Sequence, residues 1–276
     1  MFRPLQSVLN IAGRAYVPGD ALQDAMTVAQ QLASDNIACT VGYFHSGSNS
    51  PESLVDICNA AIVAVKALKP EGYISIKAPA FDYRSALLRS VVLKAKESNM
   101  LAHFDSHEHP TADATIACAA QAKALGARVG LSIPGRWQRS LADADLACQL
   151  GIRVRIVKGE WTDPTDPGLD MRHGFLRVID HLAGRADEVT VATHDPWLAT
   201  KSLQRLQAAG TKCELELLNG LPSRRMAAVA QEYSVPLRVY IPFGISWRPY
   251  ALRKFRDNPR VLWWVVRDSV VGLLGR

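Results

Sequence analysis

The sequence has no uninterrupted run of about 18 apolar residues, so nothing in it predicts a membrane span. Its opening stretch, MFRPLQSVLNIAGRAY, is too short in apolar residues for a secretory signal and has no small-residue cleavage pattern. The expected compartment is therefore the cytoplasm. Cysteine is scarce and odd in number: Cys39, Cys58, Cys118, Cys148 and Cys213 lie far apart in apolar segments. That spacing reads as buried thiols, with neither a disulfide framework nor a zinc site. No low-complexity segment or composition break marks a domain boundary. The basic excess, +6 overall, gathers between Arg248 and Arg276, where six arginines and one lysine face only Asp257 and Asp268. No recognisable nucleic-acid module accompanies it, so nucleic acid is not the expected partner. An anionic substrate, a cofactor pyrophosphate or an anionic membrane surface would each suit such a patch.

What the chain does have is a repeated pattern. Nearly half of its 276 residues are apolar, enough for a sizeable core. Eight segments read as strands: Ile37–Tyr43, Tyr73–Lys77, Leu101–Asp105, Arg128–Ile133, Arg153–Val157, Val189–Thr193, Cys213–Leu217 and Leu237–Ile241. Helical periodicity falls between them, as in Leu54–Leu68 and Met171–Ala183, and a further helix precedes the first strand after Pro18-Gly19-Asp20. Strand-then-helix units with apolar strands predict a parallel sheet covered by helices, and eight of them predict closure into a (β/α)8 TIM-type barrel. An open doubly wound sheet is the rival, but no G-x-G-x-x-G turn follows the first strand. The expected organisation is a single domain: leader and helix over 1–36, barrel over 37–258, and an apolar C-terminal helix over 259–276.

Chemistry in such a barrel belongs at the C-terminal ends of the strands, and here those ends are polar. They carry Lys77, then Asp105-Ser106-His107-Glu108, Lys158-Gly159-Glu160, Thr193-His194-Asp195, Glu216 and Asn219, and Tyr240. Arg155 interrupts an apolar strand, and a guanidinium there must be paired. It either forms a structural ion pair with Asp105 or Glu214 or touches an anion of a cofactor or substrate. His103, Asp105, His107, Glu108 and His109 with His194 and Asp195 would suit a metal-dependent hydrolase, although their spacing matches no ligand motif. Lys77 and Lys158 would suit an imine-forming aldolase if desolvated. Past the last strand, Tyr250, Arg253 and Lys254 share one face of an expected helix opened by Ser246 and Pro249. Two cations and two phenols, counting Tyr240, would suit a small carboxylate, and the alternative reading of these residues is the solvated, basic face of a surface helix.

Several of these stretches resemble the proline dehydrogenase family in order and position: AGRAYVPGDALQDAMTVAQQLASDNIACTVGYF, ISIK, FDSHE, RIVKGEW, ATHD, ELELLNG, RVYIPFG and the helix carrying Tyr250, Arg253 and Lys254. The resemblance spans nearly the whole chain. It implies an FAD-dependent barrel that oxidises L-proline, or a close pyrrolidine carboxylate, to 1-pyrroline-5-carboxylate by hydride transfer, and that passes electrons to a quinone or another acceptor. It further implies that Lys77, Arg253 and Lys254 hold the substrate carboxylate, with Tyr240 and Tyr250 closing over the ring. Arg155 would lie against the flavin and Asp105 would orient its neighbours. Ser106, Lys158, Gly159, Glu160, Thr193 and His194 would contact the rest of FAD. The chain departs from the family pattern at Lys254, where a second arginine is usual, and at Leu131 and Glu216, where flavin-side glutamines are expected. A barrel that binds a small carboxylate without turnover is the reading outside catalysis. The C-terminal segment with Trp263 and Trp264 fits packing across the barrel, with rest on a membrane surface as its alternative.

Overall fold

The computed structural model describes residues 18–45, 49–105, 108–221 and 223–244. Eight parallel strands close on themselves in sequence order, with β8 returning to β1. They are β1 (Ala38–Tyr43), β2 (Tyr73–Ile76), β3 (Ala102–Phe104), β4 (Val129–Pro134), β5 (Arg153–Val157), β6 (Glu188–Ala192), β7 (Lys212–Leu218) and β8 (Leu237–Phe243). The fold is the expected (β/α)8 barrel, each strand within two residues of its expected ends. Helix α1 (Leu22–Ser34) precedes β1. Helices α2 (Pro51–Lys66), α3 (Ser85–Glu97), α4 (Ala112–Ala124), α5 (Ser140–Gln149), α6 (Met171–Leu182), α7 (Pro196–Ala208) and α8 (Arg224–Glu232) follow the first seven strands in turn. The leader before residue 18 and the C-terminal helix expected over 259–276 lie outside the described residues. Among the described residues no helix is long and apolar enough to cross a membrane.

Local chemistry explains the helix starts at the functional end. Ser50 accepts from the Ser53 N–H at 3.2 Å with Pro51 in the first turn of α2. Asp170 accepts from the His173 N–H at 2.7 Å ahead of α6, and Asp195 accepts from the Leu198 N–H at 3.3 Å ahead of α7. Each side chain satisfies a donor that the first helical turn leaves free. Helix α6 then buries Phe175, Val178, Ile179 and Leu182 against the barrel, each fully excluded from water. Every such side chain contributes about 1.5–3 kcal/mol.

At the opposite rim the units are stitched in sequence. Lys96 donates to the Leu125 carbonyl at 2.7 Å, Lys123 to the Gly151 carbonyl at 2.6 Å, and the Gly184 N–H to Thr211 Oγ1 at 2.7 Å. The lysines hold carbonyls at or just beyond helix C-termini, where intrahelical partners run out. The strands' outward side chains, such as Leu131, Ile133, Val154, Ile156, Val189 and Val191, join the helices' inner faces in one apolar core. Inward, the barrel is polar.

Candidate active site

Strand alternation sends one parity of residues into the lumen. A lower layer holds Tyr73, Arg153, Thr190, Glu214 and Arg238. Glu214 pairs with Arg153 and, at 2.8 Å, with Arg238. Thr190 donates to Glu214 at 3.1 Å, and Arg238 also reaches the Cys39 carbonyl at 2.8 Å. The Arg238 guanidinium stacks 4.2 Å from the Tyr73 ring centre. Burial first, and then the nearby Glu216 charge, push the Tyr73 phenol up to about 12.

The layer above, nearer the C-terminal ends, gathers the candidate site. Arg155, 4% exposed, pairs with Asp105 through one terminal nitrogen and with Glu216 through the other at 3.0 Å. Its Nε donates to Ser132 Oγ at 2.9 Å. Asp105 further accepts from Ser75, from Lys77 Nζ at 3.2 Å and from the Tyr240 hydroxyl at 3.1 Å. Lys77 also reaches the Tyr240 oxygen at 3.1 Å and lies 4.4 Å from the Phe44 ring centre. Glu216 is held from its other side by the Thr40 hydroxyl at 2.5 Å. Two cations and two carboxylates thus interlock with each charged group paired, as burial of charge demands.

These contacts set the protonation states. Burial pushes the Asp105 carboxyl up, but Arg155 and then Lys77 outweigh it and hold the group far below the usual carboxylate range. Burial likewise opposes the charge on Lys77, and Tyr240 and Asp105 overcome it and raise its pKa. Imine chemistry needs the reverse shift, so the aldolase reading loses its support.

The sequence expectations require two corrections. Of the two expected partners, Arg155 pairs with Asp105 but not with Glu214, and its second carboxylate is Glu216. Glu214 sits two residues earlier on β7, one layer down, where Arg153 and Arg238 occupy it. Leu131 does not stand at the lumen. It points outward into the core, and its neighbours Gly130 and Ser132 face inward, Ser132 onto Arg155 and Gly130 under the His103 ring. The polar position on this strand is therefore Ser132. Sequence reasoning missed it, together with Ser75 and Thr40, and the one available signal was a polar residue inside an otherwise apolar strand.

At the rim, Lys158 lies 3.5 Å from Asp195, and Thr193 Oγ1 accepts the Asp195 N–H at 3.1 Å. His194 Nε2 accepts the Leu218 N–H at 2.8 Å, so that nitrogen is not free to bind a metal. Gly159 takes φ +88°, which glycine adopts without strain, and the exposed Glu160 offers its carbonyl to Arg136 at 3.1 Å. Beside them a cleft of about 400 Å³ runs between Glu108, His109, Glu160 and Trp161. Among the described residues no three His, Cys, Asp or Glu side chains are grouped to hold a metal ion. Ser106, His107, Tyr250, Arg253 and Lys254 lie outside the described residues.

His103 packs below Asp105, 1% exposed, with Nε2 2.9 Å from Ser132 Oγ and its ring stacked 5.7 Å from Tyr73. Burial first, and Arg155 second, keep it neutral by lowering its pKa well below 6.5. The unfolded chain binds a proton here below about pH 6.5 and the folded chain does not, so this stability is full above that pH and lost as pH falls. The slope is about 1.4 kcal/mol per pH unit at most. Urea unfolding between about pH 6.5 and 4.5 should show a flatter stability profile in His103→Asn than in the parent. Equal slopes would assign the dependence to other groups.

A closed barrel with an interlocked ionic floor at the C-terminal ends of its strands places its polar groups where enzymes of the (β/α)8 class carry their active sites. No family model matches the chain. It is 23% identical over 267 residues to proline dehydrogenase 1 of Bacillus subtilis, covering 90% of this chain and 87% of that protein. It is 25% identical over 291 residues to the proline dehydrogenase of Deinococcus radiodurans, covering 97% and 92%. Among solved structures, proline utilization A (PutA) from Bdellovibrio bacteriovorus, inactivated by N-propargylglycine, superposes with a TM-score of 0.79 at 12% identity. That match takes in 93% of this chain, which spans only 33% of the PutA chain. Over nearly its whole length the chain is similar to proline dehydrogenases, at 23–25% identity to the two named here.

Proposed function

We propose that this protein oxidises L-proline, or a close pyrrolidine carboxylate, to 1-pyrroline-5-carboxylate with FAD as hydride acceptor. The observation that carries this reading is Arg155, a cation locked by Asp105, Glu216 and Ser132 beside Lys77 at the functional end of the barrel. The described residues fit a flavin. A fixed guanidinium suits the electron-rich edge of its ring, Lys158 suits its phosphates, and the Trp161 cleft gives the remainder an aromatic wall. When bound, FAD supplies the two-electron chemistry. The similarity to proline dehydrogenases supports the same choice.

The protein's own contribution is position and charge. Lys77 and Tyr240, with Tyr250, Arg253 and Lys254, hold the substrate carboxylate and ring. Asp105 is far too acidic to take a proton from the substrate amine, so its part is to align Lys77, Tyr240 and Arg155. Arg155 stabilises negative charge as it develops. Ser106, Lys158, Gly159, Glu160, Thr193 and His194 hold the rest of the cofactor. Electrons then leave to a quinone or another acceptor.

The test is an absorbance spectrum of the protein after incubation with FAD and desalting, then anaerobic addition of L-proline. A retained flavin band that bleaches with proline is the expected result. A retained band indifferent to proline would shift the substrate to a ring analogue, and a protein that keeps no flavin would overturn the reading.

A further inference from the structure

Glu216 is the charge in the lumen that Arg155 does not need. The Arg155 guanidinium already has a carboxylate partner in Asp105 and a hydroxyl partner in Ser132, yet Glu216 adds a second carboxylate at 3.0 Å. Its own second oxygen is anchored by Thr40 across the barrel at 2.5 Å, so the carboxylate is fixed from both sides, and it is only 3% exposed. On β7 it stands two residues nearer the functional end than Glu214, in register with Ala192 and Arg238. The floor therefore holds Lys77 and Arg155 against Asp105 and Glu216, with no net charge. An uncharged residue at this position would leave it with one positive charge.

We propose that Glu216 is a tuning residue, which cancels the field of Arg155 and so holds down the reduction potential of the bound flavin. This rests on the flavoenzyme reading above. Reduction places negative charge on the ring, and a neutral floor stabilises that charge less than a cationic one. In a water-poor site, one unit of charge at this range is worth at least about tenfold in the ratio of reduced to oxidised cofactor. The side chain of Glu216 is held, among the described residues, by Arg155 and Thr40, and it exerts the proposed effect through the charge of Arg155. Its effect should thus appear as a shift in potential that depends on its charge and not on its shape.

The experiment is a potentiometric titration of the FAD-loaded parent, Glu216→Gln and Glu216→Asp, with sulfite affinity as a second readout, since sulfite adds to oxidised flavin and leaves negative charge on the ring. Glu216→Gln should raise the two-electron potential by about 30 mV or more, the equivalent of tenfold, and tighten sulfite binding by at least about tenfold. Glu216→Asp, which keeps the charge, should stay near the parent in both. Glu216→Met, similar in volume and uncharged, replaces the amide variant if that one fails to fold, and should shift the same way. A folded, flavin-loaded neutral variant with unchanged or lowered potential would overturn the proposal. So would an aspartate variant that shifts as far as the neutral ones. A parent protein that takes up no flavin would instead sink the flavoenzyme reading on which the proposal stands.

Discussion

In the flavoenzyme proposed above, Arg155→Met should reduce the flavin with proline at least about a hundredfold more slowly than the parent, even at saturating substrate, the scale on which a lost electrostatic stabiliser of developing charge is felt. The same substitution should cost about 3–5 kcal/mol of stability, because removing one partner of a buried ion pair leaves the others uncompensated. Here two carboxylates lose their guanidinium partner together. Asp105 keeps Lys77, Tyr240 and Ser75, but among the described residues Glu216 keeps only Thr40. Arg155→Lys retains a charge and gives up the fork that reaches Asp105, Glu216 and Ser132 simultaneously, so it should fall between the two. Anaerobic stopped-flow reduction and urea unfolding read the two effects separately. An unchanged reduction rate in a folded Arg155→Met would remove the residue from the chemistry and leave it a structural tie.

Gly42→Ala is the second large effect, from a residue with no side chain of its own. A Cβ at this position would lie 2.1 Å from the Tyr240 hydroxyl oxygen and 2.6 Å from the ring carbon that bears it. No real contact is that short, so the Tyr240 ring must leave its place between Lys77 and Asp105. Misplacing a positioning group by about an ångström commonly costs 10²-fold, and kcat/KM for proline should drop on that order. Stability should fall by about 1–3 kcal/mol, the usual penalty for overpacking. In a Tyr240→Phe background the nearest clashing atom is gone, and the alanine should cost measurably less. Purely additive effects in that double-mutant cycle would show that Gly42 acts elsewhere.

Gly42 illustrates what the sequence did not disclose. The eight strands were legible because each is an apolar run between helical stretches, and closure followed from their number. Single polar letters inside those runs, Arg155 above all, marked the lumen. What failed was depth and parity. Glu214 and Glu216 share a face of β7 and differ only by one layer, and no local property of the sequence says which layer Arg155 reaches. Leu131 and Ser132 are adjacent, and choosing between them requires the register of β4 against β5, where Ser132 meets Arg155. Gly42 and Gly130 mattered for the rings that lie over them, Tyr240 and His103, which are distant in sequence. The first pairing comes from closing β8 onto β1 and the second from the register of β3 against β4, so neither belongs to a single strand.

The ionic lumen also shapes how the protein should respond to temperature. Barrels of this class ordinarily fill their interior with branched aliphatic side chains, whose exposure on unfolding raises the heat capacity. Here the corresponding layers hold Arg153, Arg155, Glu214, Glu216 and Arg238, and exposing polar surface lowers it. The increment in heat capacity on unfolding should accordingly be smaller than for an aliphatic-filled barrel of equal length, and the stability curve broader, which scanning calorimetry would read directly. Heat and cold both find less leverage on a core whose centre is already hydrophilic.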